Sequence, residues 1–196
     1  MKKVLIILAP LLVMAAVYFF TGPYLFPTST ALGPCWKDWT SPASFMPRAS
    51  PLETLDFSVG AVEGRLCYGA PSSRGRRLFG PSGLVPPGRL WRMGANEPTR
   101  LFLNGPIRLG DLELQPGRYS LYARPDAESW EIHVSESTWH WGNMIRSGVR
   151  DQEVGSFRAP AIRRGAHQEV LQFAAEDSAL VLKWGFTRVR MPISEL

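Results

Sequence analysis

The chain is poor in the residues from which most catalytic and metal centres are built. Its 196 residues include only two cysteines and three histidines. His133, His140 and His167 fall on a strand, in a loop and in a turn of the pattern described below. No two of them share the close spacing at which metal ligands cluster, so no metal site is expected. There is no Gly-x-Ser-x-Gly nucleophile elbow. There is also no phosphate loop and no dinucleotide fingerprint, and no cofactor is expected. A dense stripe of one charge is missing too. The formal net charge is +5, of which Lys2 and Lys3 supply two, and basic residues after position 100 are interspersed with acidic ones. That pattern argues against nucleic-acid binding. No internal repeat, low-complexity tract or heptad occurs.

The N-terminus does contain one long hydrophobic run. Met1-Lys2-Lys3 precedes an uncharged stretch from Val4 to Phe20, continuing through Thr21-Gly22-Pro23 to Phe26. At about 1.5 Å per helical residue this stretch just spans a bilayer core. Tyr18, Phe19, Phe20, Tyr24 and Phe26 crowd its distal end, as an interfacial belt would. The reading is a signal anchor over residues 1–26 that holds the chain in a bacterial inner membrane. The two lysines keep the N-terminus cytoplasmic, and the rest faces the periplasm or cell exterior. Alternatively the segment is a cleaved signal peptide, with Ser29-Thr30-Ala31 as the cleavage site and a secreted product.

Cys35 and Cys67 both fall on the exported side, where a lone pair defaults to a disulfide. Closing a loop of that length contributes roughly 3–4 kcal/mol in the chain-entropy model. The alternative is two unpaired thiols, with Cys67 buried in a strand.

Residues 27–54 form a Pro/Ser-rich linker, and the remainder, 55–196, reads as one domain. Glycine and proline are abundant, at 18 and 17, and punctuate short apolar runs. Phe57 to Val59 and Arg65 to Tyr68 predict a hairpin turning near Glu63-Gly64. Thr99 to Leu103 is a strand, and Asn104-Gly105 signals a hairpin turn back into Ile107 to Leu109. Turns at Gly110-Asp111, Gln115-Pro116-Gly117 and Pro125-Asp126 separate further strands. In the strand after Pro125-Asp126, Trp130, Ile132 and Val134 alternate with Glu131, His133 and Ser135, which predicts one buried and one wet face. Ser137 to Arg150 is an irregular excursion. Separate strands follow around Val154–Phe157, Val170–Phe173, Leu180–Trp184 and Thr187–Met191. Nine or ten short strands with regular turn signals predict an all-β, antiparallel β-sandwich, with a barrel as the alternative.

The densest signal runs from Pro71 to Glu97, where glycines mix with Arg74, Arg76, Arg77, Arg89 and Arg92. Glycines permit unusual backbone angles, and arginines offer planar forks for carboxylate or phosphate. Arg76 and Arg92 could clamp an anionic or sugar-like ligand, with Asn96 and Glu97 orienting it. Equally, an Arg–Glu clasp could satisfy the polar groups of a long loop. Glu97 could also act as a general acid or base with Arg76 or Arg92, but no spacing brings Asp111, Glu113 or Glu131 beside it as a second carboxylate. Trp139 and Trp141, in the excursion, could form a stacking platform for a saccharide or a lid over the core. Trp130 and Trp184 read as core residues.

Taken together, Tyr68, Pro71-Ser72, Gly75-Arg76, Phe79-Gly80, Leu84-Val85-Pro86, Gly88 and Trp91-Arg92-x-Gly94-Ala95-Asn96-Glu97 carry a resemblance. Later matching residues are Leu114 to Gly117, Tyr119 to Leu121, Trp130, Trp141-Gly142, Leu182 to Trp184 and Pro192-Ile193. Over about Leu55 to Ile193 the chain resembles the bacterial family called domain of unknown function 2911. Pro81 and Ser82 are extra residues relative to its usual spacing, and Pro87 stands where an aromatic is common. The resemblance implies an exported or membrane-attached β-rich domain and names no activity. The expected function is a binding module for an envelope polymer or protein partner that uses the Gly/Arg loop. The alternatives are an envelope enzyme and a structural envelope protein.

Overall fold

A computed structural model describes residues 32, 33, 35, 36 and 48–196, with the side chain of residue 164 excepted. The expected membrane anchor, its cleavage alternative and most of the linker lie outside these residues. Among the described residues no helix is long and apolar enough to cross a membrane.

Alternation of apolar and polar residues sets the architecture. β1 (Leu52–Val59) and β2 (Val62–Gly69) form a hairpin. Its turn lies at Gly60-Ala61 rather than near Glu63-Gly64, and Gly60 adopts φ +56°. Gly64 serves packing instead, because a Cβ there would come within 2.2 Å of the Phe57 ring. β3 (Thr99–Leu103), β4 (Ile107–Leu109), β5 (Leu112–Leu114), β6 (Gly117–Arg124) and β7 (Ser129–Ser135) follow. A single helical turn, α1 (Ser147–Arg150), precedes the long strands β8 (Glu153–Glu176) and β9 (Ala179–Glu195).

The nine strands make one antiparallel sheet in the order β1-β2-β3-β6-β7-β8-β9-β4-β5. It is a single open sheet rather than two, and β1 and β5 are its unjoined edges, so the barrel alternative is not realised. β8 accounts for the difference. Glu153 to Pro160 pairs with β7, and Ala161 to Glu176 pairs with β9. The four short C-terminal strands read from the sequence are therefore two long irregular ones. Register shifts between Arg163 and Gln172 interrupt β8, and Gly185 at φ +58° interrupts β9. Strands that bend in this way let one sheet cover both sides of a core.

Asn104-Gly105 is not a hairpin turn either, since β3 pairs with β2 and β6 while β4 pairs with β5 and β9. Asn104 Oδ1 accepts the Glu63 N–H at 2.8 Å, and a Cβ on Gly105 would meet Val62 at 2.6 Å. The pair is thereby packed on the β1–β2 hairpin, and the chain crosses to the far end of the sheet.

One face of the sheet carries the core. Leu66, Leu101, Leu121, Ile132 and Val134 join Leu171, Phe173, Leu182, Trp184 and Met191 in a single buried cluster. Phe79, Trp91, Trp130 and Trp184 form an aromatic knot within it, with centroids 5.1–6.1 Å apart. On the opposite face, cross-strand register aligns Cys67, Arg100, Ser120 and Ser135. Cys67 is disulfide-bonded to Cys35, with their Cα atoms 5.5 Å apart. The bond brings Trp36 onto this face, edge-on to Phe102 at 5.7 Å. The disulfide fits an oxidising, extracytoplasmic compartment.

Candidate functional site

The segment between β2 and β3 is ordered by its own residues. Trp91 exchanges two backbone hydrogen bonds with Ala123 of β6, each 2.8 Å, and its ring enters the aromatic knot. Its indole N–H then donates to Gly94 O at 3.1 Å. Met93 and Asn96 both take left-handed backbone angles, φ +58° and +61°. That conformation costs a buried non-glycine residue of order 1 kcal/mol or more and persists where its surroundings enforce it. Here Thr99 Oγ1 donates to Met93 O, and the Ala95 N–H donates to Gly69 O at 3.1 Å. Gly94 is required because a Cβ would stand 2.8 Å from that same Gly69 carbonyl.

Glu97 lies at the end of this clasp and is 0% exposed. Its Oε1 accepts from Nη1 of Arg48, a residue of the linker just ahead of β1. Asn96 donates to Ser50 O at 3.2 Å, tying the same two segments together. Arg92 is close enough for Glu97 to stabilise its charge, but burial has the larger effect and lowers its pKa. Its Nε is buried without a hydrogen-bond partner among the described residues. Trp141-Gly142 closes the arrangement from the excursion, where a Cβ on Gly142 would sit 2.3 Å from both Arg92 Cδ and Asn96 O. Arg92, Asn96 and Glu97 are therefore brought together, with Gly142 against them.

Arg76 sits elsewhere on the loop. It is exposed, and its Nε and Nη2 donate to the carbonyls of Ser73 and Ser72 at 2.9 and 2.8 Å. The neighbouring turn is held by Glu169, which accepts from Ser73 Oγ and from the Arg74 N–H. These two bonds, the hydroxyl first, lower the Glu169 pKa. Arg74, Arg77 and Arg89 are exposed. Leu78, Val85 and Trp91 of the same loop are buried.

Trp139 is 59% exposed and lies over Trp36 at 6.1 Å. Arg100 reaches the Trp36 ring at 4.4 Å and donates to Thr138 O. Trp141 is only partly exposed. The three histidines are apart, and no group of metal-ligating side chains is assembled among the described residues. His133 is buried rather than wet. Its ring stacks on Tyr122 at 4.9 Å, and its Nδ1 lies 3.2 Å from Glu153, which also accepts from the Tyr122 hydroxyl. Burial, then the Glu153 bond, raise the Tyr122 pKa. Sequence reasoning missed Arg48, Arg100, Tyr122 and Glu153. The alternation Arg118-x-Ser120-x-Tyr122-x-Arg124 was the available signal for a polar row on β6.

The family model described as "Protein of unknown function (DUF2911)" matches residues 50–193. The chain belongs to the DUF2911 family. Its match begins at Ser50, whose carbonyl Asn96 holds, and ends at Ile193 in β9. The DUF2911 domain thus contains the whole sheet core and the clasp, except for Arg48. No curated protein and no solved structure matches the chain.

Proposed function

We propose that this DUF2911 domain is an extracytoplasmic binding module, held at the inner membrane by its apolar N-terminus, whose Gly/Arg loop contacts an anionic envelope polymer. The supporting observation is the loop's division of labour. Leu78, Val85 and Trp91 are locked into the core while Arg74, Arg76, Arg77 and Arg89 are exposed. A rigid loop loses little freedom on binding, so its charges are preorganised. Arg92, Asn96 and Glu97 shape that loop from beneath, and Trp139 offers an exposed ring to a sugar.

Dextran sulfate and uncharged dextran are suitable probes for the full-length protein. Saturable binding of the sulfated polymer is expected, weakening as salt is raised. The triple variant Arg74→Ala, Arg77→Ala, Arg89→Ala should lose that binding at unchanged melting temperature. Arg76 is left intact because it ties the loop's carbonyls. Equal affinity for the two dextrans, or retention of binding by the triple variant, would refute the reading. A second reading, a structural envelope domain, draws on the buried Arg48–Glu97 pair and predicts no binding of either polymer.

A further inference from the structure

The same loop forms one wall of an apolar cavity of about 230 Å³ that its arginines do not line. Phe79 and Val85 from the loop and Trp130 from β7 line it, with prolines 81, 87 and 125 around them. Gly80, also in the lining, adopts φ +107°, and a Cβ there would meet nothing within 4 Å. The lining is not wholly apolar. Arg163 of β8 and Asp126 of the β6–β7 turn both contribute, and both are exposed. Arg163 carries no ion pair among the described residues. Asp126 Oδ1 accepts the Ala127 N–H at 2.7 Å, which fixes the carboxylate in place.

An apolar cavity of about 150 Å³ accommodates benzene. One of about 230 Å³ therefore takes a phenyl ring together with the carbon that bears it. A cation and an anion lining the same apolar cavity match a ligand that carries both charges beside its ring. We propose that this cavity binds a free aromatic α-amino acid, with the ring against Trp130 and Phe79, the carboxylate toward Arg163 and the ammonium toward Asp126. The site shares a loop with the polymer-binding reading but none of its arginines, so either can fail alone.

The test titrates the full-length protein with L-phenylalanine, 3-phenylpropionate and phenethylamine, each followed by calorimetry. L-phenylalanine should saturate, and each analogue, lacking one charge, should bind about tenfold more weakly. Arg163→Gln should weaken L-phenylalanine by about tenfold while leaving phenethylamine unchanged, and Asp126→Asn should do the converse with 3-phenylpropionate. Ala161→Leu, which fills the cavity wall, should abolish binding of all three. No saturable binding of L-phenylalanine at millimolar concentration overturns the proposal. So does an analogue that binds as tightly as the amino acid, or an Arg163→Gln variant with unchanged affinity. Dextran sulfate binding, measured in parallel, should be the same in the Ala161→Leu variant as in wild type.

Discussion

Replacing Glu97 by alanine tests whether the Trp91–Glu97 segment is a clasp. The carboxylate is wholly buried, and the Arg48 side chain it holds is only 9% exposed. Removing Glu97 leaves Arg48 buried without its counter-charge and removes the field that offsets the burial of Arg92. Breaking a buried pair from one side costs about 3–5 kcal/mol, because the remaining charge stays desolvated. For a domain of this size each kcal/mol moves the melting temperature by about 2–4 °C. Glu97→Ala should therefore melt about 6–20 °C below wild type, followed by far-UV circular dichroism. Arg48→Ala should lose a similar amount. The double change Arg48→Met, Glu97→Leu removes both charges and keeps the volume, so it should recover most of the loss. The cycle also separates a clasp from a ligand-binding carboxylate. A Glu97→Ala melt within about 2 °C of wild type, or strictly additive losses in an Arg48→Ala, Glu97→Ala double variant, would refute the clasp.

Two further outcomes follow from the opposite face of the sheet. Reducing Cys35–Cys67, 32 residues apart in sequence, or replacing Cys67 by serine, should lower the melting temperature by about 7–15 °C. A shift under about 2 °C would mean that the bond constrains little of the unfolded chain. Tyr122 has a raised pKa in the folded state, so the stability it contributes is complete below the ordinary tyrosine range and is lost as pH rises above about 10. The stability of wild type should fall across that alkaline window more steeply than that of Tyr122→Phe; parallel profiles from denaturant titrations would contradict the assignment.

Features whose cause is local were legible in the sequence. The Gly110-Asp111 and Pro125-Asp126 turns lie between the strands they were read to separate, because a tight turn depends on its own few residues. The backbone peculiarity of Trp91–Glu97 showed as glycine and asparagine amid bulky residues. Features set by distant packing were misread. Val154–Phe157 and Val170–Phe173 read as separate strands, as do Leu180–Trp184 and Thr187–Met191, yet β8 and β9 run through both breaks, since each strand is paired with its neighbours on either side of its irregularity. Asn104-Gly105 has the composition of a hairpin, but the Glu63 backbone occupies its side chain.

The same distinction governs the clasp. An Arg–Glu clasp is one of the readings the sequence offers for this loop, and Arg76 and Arg92 are the arginines it places beside Glu97. The structure gives the direct contact to Arg48, 49 residues earlier and outside the motif-dense stretch. Nothing local to Arg48 marks it, because its place depends on the segment ahead of β1 lying across the clasp. Asn96 makes that placement specific by holding Ser50 O, two residues beyond Arg48. A linker residue is therefore part of the domain's buried electrostatics. Truncating the chain at Leu52, where β1 begins, would remove the counter-charge of Glu97 along with the linker. It should destabilise the domain more than Arg48→Ala does, because it also removes Cys35 with its bond to Cys67 and the Ser50 carbonyl that Asn96 holds.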